Sequence, residues 1–535
     1  MDKALAENLI QRVNVGDSLT RTANRLPDRM AVVEGERRWT YAELNAAVNR
    51  FAHGLMERGY QRGDVLALAS GNSIEFLVTY YACAKIGVVC VPLNLGWGPS
   101  EIAYALEHSR ARGLVLEAQL APLTGPAVEQ VQTVRDLVVA MGTADALPET
   151  VGGRQCQPFE SVYAQDDSDP QVEVGDRDAV SYLYTSGTTS APKGVVGSHL
   201  AIYLESLTVA LESEMKSDER VAGLMPLFHT AQLNGQATPA VMVGATQYLL
   251  RGFDGPALLD MIEREKITRT FVLPMMWRAL VDDPSLARRD VSSLRKAAYA
   301  MAPMPDDLLH KCMECFGNCG FYLSFGQTEM SPITTVFRPE HQLSHAGAVG
   351  TQIVNVQVAI MDDKGTQLPA GSEGEVVYRG PHALEGYLRN PEATEEAFAH
   401  GWFHSGDVGY LAEDGMLWFS DRYKDVIKSG GENVASIEVE KAIYAADSRV
   451  AEVAVVGLPH DHWIEAITAV VNVKPGETLT PEELMAAVRG RIAGFKAPKA
   501  VILVDEFPRT ATGKIQKNVL RKQLKGYYSE AGKSV

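Results

Sequence analysis

Leu44, Val48, Phe51 and Leu55 recur at helical spacing along "TYAELNAAVNRFAHGLMERG", an apolar stripe that predicts an amphipathic helix. Thr40, with Glu43 three residues later, supplies a capping box for its start. The pattern then switches to unbroken apolar runs of strand length. "VLALAS" from Val65 and "VVCVPLN" from Val88 flank a further helix, an alternation that predicts a parallel sheet. "AVSYLYT" from Ala179 is another such strand, and it leads straight into "YTSGTTSAPKG", Tyr184 to Gly194. Loops in that position are where open α/β sheets bind ligands.

From about Val356 the runs shorten. "VQVAIMD", "GEVVYRG" and "MLWFSDR" are divided by Gly, Pro and Asp turns and predict a smaller β-rich unit. Beyond Asp425, "VAEVAVVGLP", "EAITAVVNV" and "AVILVDEFP" read as strands, and Thr480, Pro481 and Glu483 mark a helix start. This is the pattern of a compact α+β domain of roughly a hundred residues. A chain of 535 residues is too long for one core. The fold class expected is α/β: a large N-terminal domain of two α/β units plus a β-rich unit over residues 1–423, and a small mobile α+β C-terminal domain over 424–535.

Composition narrows the function classes. Apolar residues at 46% and charged residues at 22% suit a soluble globular chain. The net charge of −17 argues against a general nucleic-acid binder, which needs clustered Lys and Arg. Six cysteines in this length suit a reducing compartment, and "MDKALAENLIQRVNVGD" lacks the apolar core of a signal peptide, so a cytoplasmic location is expected. Val221 to Leu250 carries no Asp, Glu, Lys or Arg, but His229, Gln232, Asn234, Gln236 and Pro239 interrupt it. It is expected to be a core segment lining a cleft, not a membrane span.

Five stretches carry chemistry. In "YTSGTTSAPKG" successive backbone N–H groups of a Gly-rich turn form an anion-binding concavity; Thr185, Ser186, Thr188 and Thr189 add hydroxyls and Lys193 a point charge. In "SFGQTEM", Phe325 offers a flat apolar face, Thr328 a hydroxyl, and Glu329 a hard carboxylate suited to Mg²⁺. "HSGDVGY" sets Asp407 in a glycine turn, where it can accept both hydroxyls of a ribose. "DRYKDVIKSGGEN" joins the two domain characters and carries Arg422, Lys424, Lys428 and the Gly430–Gly431 pair, and "PRTATGKIQK" holds Lys514 in a glycine turn. The tract "HKCMECFGNC" puts His310, Cys312, Cys315 and Cys319 close together. Its helical pattern predicts buried structural thiols, with the three cysteines on one inward side, in preference to a zinc site.

Together, in this order, the five stretches resemble the adenylate-forming superfamily: acyl-CoA synthetases, aryl-CoA ligases, peptide-synthetase adenylation domains and firefly-type luciferases. The resemblance covers nearly the whole chain and implies a two-step reaction. A substrate carboxylate attacks the α-phosphorus of ATP, pyrophosphate leaves, and CoA thiol then displaces AMP from the acyl-AMP. Two anions must meet in the first step, and unit charges about 4 Å apart repel by roughly 4 kcal/mol at an effective dielectric near 20. Cations are therefore needed where charge gathers.

Carried over by position, the resemblance implies that Thr185, Ser186, Gly187, Thr188, Thr189 and Lys193 hold phosphate, with Thr188 and Glu329 on Mg²⁺. Ala302, Pro303 and Phe325 would flank adenine, and Thr328 would touch the α-phosphate. Asp407 and Arg422 would bind ribose, and His229, in "PLFHT", would stand beside the acyl carboxylate. Lys514 would bridge carboxylate and α-phosphate during adenylation. Lys424 matches the hinge, Gly430 and Gly431 the backbone lining the pantetheine tunnel, and Lys428 lies among these cofactor-binding positions. Departures are Ser190, Phe325, Ser405 and Asp421, which stand where Gly, Tyr, Thr and Gly are common, and "YAMAP" in place of Gly-Gly-Ala-Pro.

An acid–CoA ligase is the expectation, acting on ATP, CoA and an apolar carboxylic acid (fatty, aromatic or alicyclic); Met225, Leu233, Gly235, Met301, Met330 and Ile333 are expected near the acyl group. A homodimer is a further expectation. The alternative is a stand-alone adenylation enzyme that loads a carrier protein. The absence of any acid in Val221–Leu250 argues against an α-amino acid, whose amine needs an acidic partner. A nucleotide sensor with a dead site is disfavoured by the joint presence of Lys193, Glu329, Asp407 and Lys514, and a luciferase-like oxygenase is not separated from a ligase by sequence.

Overall fold

A computed structural model describes residues 2–142, 147–185, 192–301, 304–430, 432–510 and 513–530. The protein is mixed α/β, with a large N-terminal part of several sheets and a small C-terminal α+β part. It divides into two compact units, Met1–Gln357 with Tyr378–Phe403, and Val358–Val377 with His404–Val535. Val358–Val377 thus joins the later residues, and the linker position Lys424 lies inside the second unit.

The first unit holds two large sheets. In the eight-stranded one, Val65–Ala69, Val89–Pro92 and Ala179–Thr185 run parallel, as the apolar runs predict. Ala179–Thr185 then turns back into Lys193–Ser198, which pairs with Gly386–Tyr387 at the edge. The nine-stranded sheet has Arg220–Gly223, Arg269–Phe271, Lys296–Tyr299 and Gly320–Gly326 as parallel neighbours. The capping box holds: Thr40 N donates to Glu43 Oε2 (2.7 Å) and Glu43 N to Thr40 Oγ1 (3.2 Å). The helix it starts, Tyr41–Glu57, buries Leu44, Val48, Phe51 and Leu55 completely in the largest core cluster. Each such side chain contributes about 1.5–3 kcal/mol.

Gln357–Met361, Gly374–Arg379, Phe403–Leu411 and Leu417–Arg422, most of whose residues belong to the second unit, make a four-stranded sheet, the expected β-rich element. A five-stranded sheet follows, centred on the long antiparallel pair Val450–His460 and Ile464–Val473, with helices Ser436–Ala446 and Pro481–Arg489 packed on it. Among the described residues, no helix is long and apolar enough to cross a membrane. Val221–Leu250 is instead a strand, a helical segment and a second strand, most of it buried.

Candidate active site

The phosphate-loop candidate joins two antiparallel strands, Ala179–Thr185 and Lys193–Ser198. Thr185 pairs with Lys193 across the two strands, which fixes both ends of the loop; Ser186, Gly187, Thr188 and Thr189 lie outside the described residues. Because Lys193–Ser198 pairs with Gly386–Tyr387, the Lys193 ammonium sits 4.6 Å from the centre of the Tyr387 ring, an attraction of about 0.5–2 kcal/mol. The Tyr387 hydroxyl donates to Glu329 Oε1 at 3.0 Å, and Leu384 N donates to the Glu329 carbonyl at 2.7 Å. Lys193 and Glu329 are thereby linked through one phenol.

Glu329 is buried on the short 3₁₀ turn Thr328–Met330 that ends strand Gly320–Gly326; Phe325 and Thr328 beside it are half-buried. Gly326 makes the turn possible. Its φ is +154°, and a Cβ there would fall 2.0 Å from the Pro332 carbonyl oxygen. A lone hard carboxylate with one oxygen steadied by a phenol fits Mg²⁺, which takes one or two protein carboxylates and completes its shell with phosphate and water.

At the carboxyl ends of the neighbouring strands, Met225, Phe271, Leu273, Ala298 and Ala300 form an apolar cluster that also takes in Ala231, Met276 and Met301. Met301 has φ of 70°, so the position commonly glycine in "YAMAP" is left-handed here and carries a side chain at some cost. Ala302 and Pro303 lie outside the described residues. His229 is half-buried and caps the helical segment that follows, with Ala231 N donating to its Nδ1 at 3.3 Å. Of the expected acyl-site residues, Met225 and Met301 share this cluster, and a Cβ on Gly235 would approach Pro332 and Ile333. Leu233 packs in the large core instead, and Met330 is wholly buried.

In the second unit, Asp407 is not in a turn. It lies within strand Phe403–Leu411, paired in register with Arg422; Gly406, with φ of 69°, kinks the strand without ending it. Asp407 is 1% exposed and its Oδ1 is 2.7 Å from Arg422 Nε. The departures have structural uses. Ser405 Oγ donates to the Val376 carbonyl and accepts from Asp407 N at 3.0 Å, and Asp421 accepts from Ser436 N at the start of helix Ser436–Ala446.

Lys514 follows a tight turn in which Thr510 N donates to the Lys514 carbonyl (2.9 Å) and Gly513 has φ of 84°. Its side chain keeps exposed surface. Lost hydration around the ammonium and the charge of Arg422 outweigh Asp407 and Asp425 and push its pKa down to about 8. Lys424 and Lys428 are exposed. Gly430, with φ of 63°, stacks its backbone on Trp463, where a Cβ would come within 3.1 Å of the ring; Gly431 lies outside the described residues.

Family comparison decides the identity. The family model described as AMP-binding enzyme matches residues 19–388, and that of the AMP-binding enzyme C-terminal domain matches 438–514. The chain belongs to the AMP-binding enzymes. This AMP-binding enzyme is 35% identical to a feruloyl-CoA synthase from Amycolatopsis sp over 95% of its own length and 99% of that protein. It is 32% identical to the fatty acid–[acyl-carrier-protein] ligase ScoC of Streptomyces coeruleorubidus, over 94% and 95% of the two chains. The structure of the anthranilate CoA ligase AuaEII in complex with anthranoyl-AMP superposes with a TM-score of 0.89 at 26% identity, covering 96% of this chain and 98% of that one. The AMP-binding enzyme falls in the acyl- and aryl-CoA synthetase branch of the adenylate-forming superfamily.

Two features of the AMP-binding enzyme escaped the sequence. Tyr387 is one; its only local signal is "GY" ahead of the helix start Asn390–Pro391. The other is Glu205 with His382, both fully buried, where Glu205 Oε1 accepts from Ile333 N at 2.9 Å just past the Glu329 turn and Oε2 lies 3.8 Å from His382 Nε2. On helix Asp306–Cys315, Leu308, Leu309 and Cys312 face inward as predicted, and Cys319 beyond it is buried. Cys315 is only half-buried, and all six thiols are free.

Proposed function

We propose that this AMP-forming acyl-CoA synthetase activates an apolar carboxylic acid, with an aromatic one favoured, and transfers the acyl group to CoA. The observation that carries the substrate class is the cluster Met225, Phe271, Leu273, Ala298 and Ala300 at the strand ends, which also takes in Ala231 and Met301. Carboxyl ends of parallel strands are the ligand edge of such sheets, and thioether side chains adapt to flat or bulky groups. The relatives named for feruloyl and anthranilate chemistry support an aromatic acid.

In this reading the loop Thr185–Thr189 and Lys193 hold the β- and γ-phosphates, and Phe325, Ala302 and Pro303 flank adenine. Thr328 contacts the α-phosphate, and Asp407 with Arg422 takes the ribose. Glu329 and Thr188 would hold Mg²⁺, which supplies charge neutralisation at the phosphates when bound. Tyr387 fixes the Glu329 carboxylate, His229 flanks the substrate carboxylate, and the Lys514 ammonium offsets the repulsion between carboxylate and α-phosphate. In the second step Gly430 and Gly431 line the path of the thiol, with Lys428 nearby, and Lys424 is the pivot. Free cysteines throughout support a reducing, cytoplasmic setting.

Pyrophosphate release from ATP across a panel of fatty, aromatic and alicyclic acids, with and without CoA, tests this. Thioester formation with an apolar acid is expected. Acyl-AMP without thioester would favour the second reading, transfer to a carrier protein, which the likeness to ScoC supports.

A further inference from the structure

Glu205 and His382 are fully buried, and the chemistry proposed above leaves them without a task. Glu205 lies on helix His199–Glu212, which follows directly from strand Lys193–Ser198. His382 lies on the segment that continues to Leu384 and Tyr387. Between them they reach both sides of the Glu329 turn. Past the turn, Ile333 N donates to Glu205 Oε1 at 2.9 Å. On the other side, Leu384 N donates to the Glu329 carbonyl at 2.7 Å and the Tyr387 hydroxyl to its carboxylate at 3.0 Å. The path from Glu329 through Ile333, Glu205, His382 and Leu384 back to Glu329 is a ring around the candidate metal carboxylate. Each link in it is covalent chain or a hydrogen bond, except one: Glu205 Oε2 stands 3.8 Å from His382 Nε2.

That open link is where polar atoms lack partners. Among the described residues, Glu205 Oε2, His382 Nε2 and Asn355 Oδ1 are buried without a hydrogen-bond partner, and such atoms are costly to keep. The Asn355 side-chain amide meets the other ring nitrogen, His382 Nδ1, at 3.0 Å, and an amide can present either its oxygen or its nitrogen to a ring. With the oxygen there, Nδ1 carries the proton and Nε2 is an acceptor. An acid proton on Glu205 Oε2 then satisfies all three atoms at once. Among the described residues, His382 is the one basic neighbour of the Glu205 carboxyl. Burial pushes that carboxyl well above the usual carboxylate range and pushes the His382 imidazole down to about 4, although the Ile333 backbone acts in the opposite sense on each. Both groups are therefore uncharged at neutral pH.

We propose that Glu205 and His382 are positioning residues for the Glu329 turn: Glu205 donates from Oε2 to His382 Nε2 and closes the ring when Mg²⁺ and nucleotide load the turn. The link needs a shift of about 1 Å, the difference between 3.8 Å and an ordinary hydrogen bond. Hydrogen bonds around a reacting centre commonly tighten in this way once substrate is bound. Neither residue touches Mg²⁺ or the reacting atoms. Each acts through the turn that aims the Glu329 carboxylate, and an uncharged pair steadies that turn without adding a second anion beside it. The inference rests on Glu329 holding the metal, as in the proposed function.

Calorimetric titration of the full chain with ATP, once in Mg²⁺ and once in EDTA, tests this without turnover. Mg²⁺ should tighten ATP binding by the wild type. Glu205→Leu and His382→Leu should each shrink that gain by about tenfold or more, the scale of losing a group that holds a metal ligand in place. The double variant should lose no more than either single one, because the pair acts as one link. Glu205→Gln still accepts from Ile333 N and still donates to His382, so it should keep the gain. Binding in EDTA should be the same for all variants. Glu205→Asp, too short to span both partners, should fail as Glu205→Leu does, and it takes that variant's place if the leucine protein does not fold. Glu205→Gln as weak as Glu205→Leu, a Mg²⁺ gain untouched in every variant, or equal loss with and without Mg²⁺ would overturn the inference. So would a wild type whose ATP binding ignores Mg²⁺. The expected Mg²⁺ gains with no pyrophosphate release from any acid would instead overturn the proposed function and leave the positioning role standing.

Discussion

Tyr387→Phe removes one oxygen and tests whether the phenol that joins Lys193 to Glu329 serves the chemistry. The hydroxyl donates to Glu329 Oε1 at 3.0 Å, and a hydrogen bond to a charged group is worth about 1.5–3 kcal/mol. Each 1.4 kcal/mol or so is tenfold, so whatever depends on the orientation of that carboxylate should weaken by roughly 10- to 150-fold. The ring remains, so the Lys193 contact at 4.6 Å is kept. If Glu329 holds Mg²⁺, the loss should appear as a shifted metal titration. At saturating ATP and acid, the Mg²⁺ concentration giving half-maximal pyrophosphate release should rise by about tenfold or more, with little change in KM for the acid. Tyr387→Ala should do worse, since it also removes the ring beneath Lys193. A Tyr387→Phe titration that overlays the wild type would refute the reasoning, as would a loss that no Mg²⁺ concentration recovers.

Lys514→Ala should lower adenylation by about a hundredfold or more, the scale of one lost electrostatic donor, while thioester formation from supplied acyl-AMP survives; equal loss of both steps would remove Lys514 from the first. The pH profile carries a linked prediction. Lys514 is protonated below its lowered pKa of about 8, so if adenylation needs it as a cation, adenylation should fall as pH rises through 8 while transfer from preformed acyl-AMP does not follow that titration. If Lys424 is the pivot, Lys424→Pro should spare adenylation and depress transfer to CoA, because proline fixes φ near −65°; unchanged transfer in parallel single-turnover runs would put the pivot elsewhere.

Local rules carried much of the fold. The capping boxes at Thr40 and Thr480 and the parallel strands, Ala179–Thr185 among them, all follow from spacing and cap chemistry within a few residues of each other. The misreadings have a different cause. "HSGDVGY" displays two glycines, and only the pairing of Asp407 with Arg422 shows that the first kinks a strand instead of closing a turn. Tyr387 meets Lys193 and Glu329, and Glu205 meets His382, across long stretches of chain. Such partners are chosen by sheet order, which one sequence does not display. The helical pattern predicts Cys315 inward with Cys312, yet it lies on the edge of the helix, where the apolar stripe gives way to Glu314 and Lys311.

That edge position gives the molecule a natural attachment point. Five of the six thiols are buried, and burial holds those of Cys312 and Cys319 up at about 12, out of reach of alkylating reagents at ordinary pH. Cys315 alone is only half-buried, at the end of helix Asp306–Cys315. A maleimide dye added to the native enzyme should therefore label this site in preference to the buried thiols without any engineering, and its emission would report, in real time, how helix Asp306–Cys315 responds to each substrate.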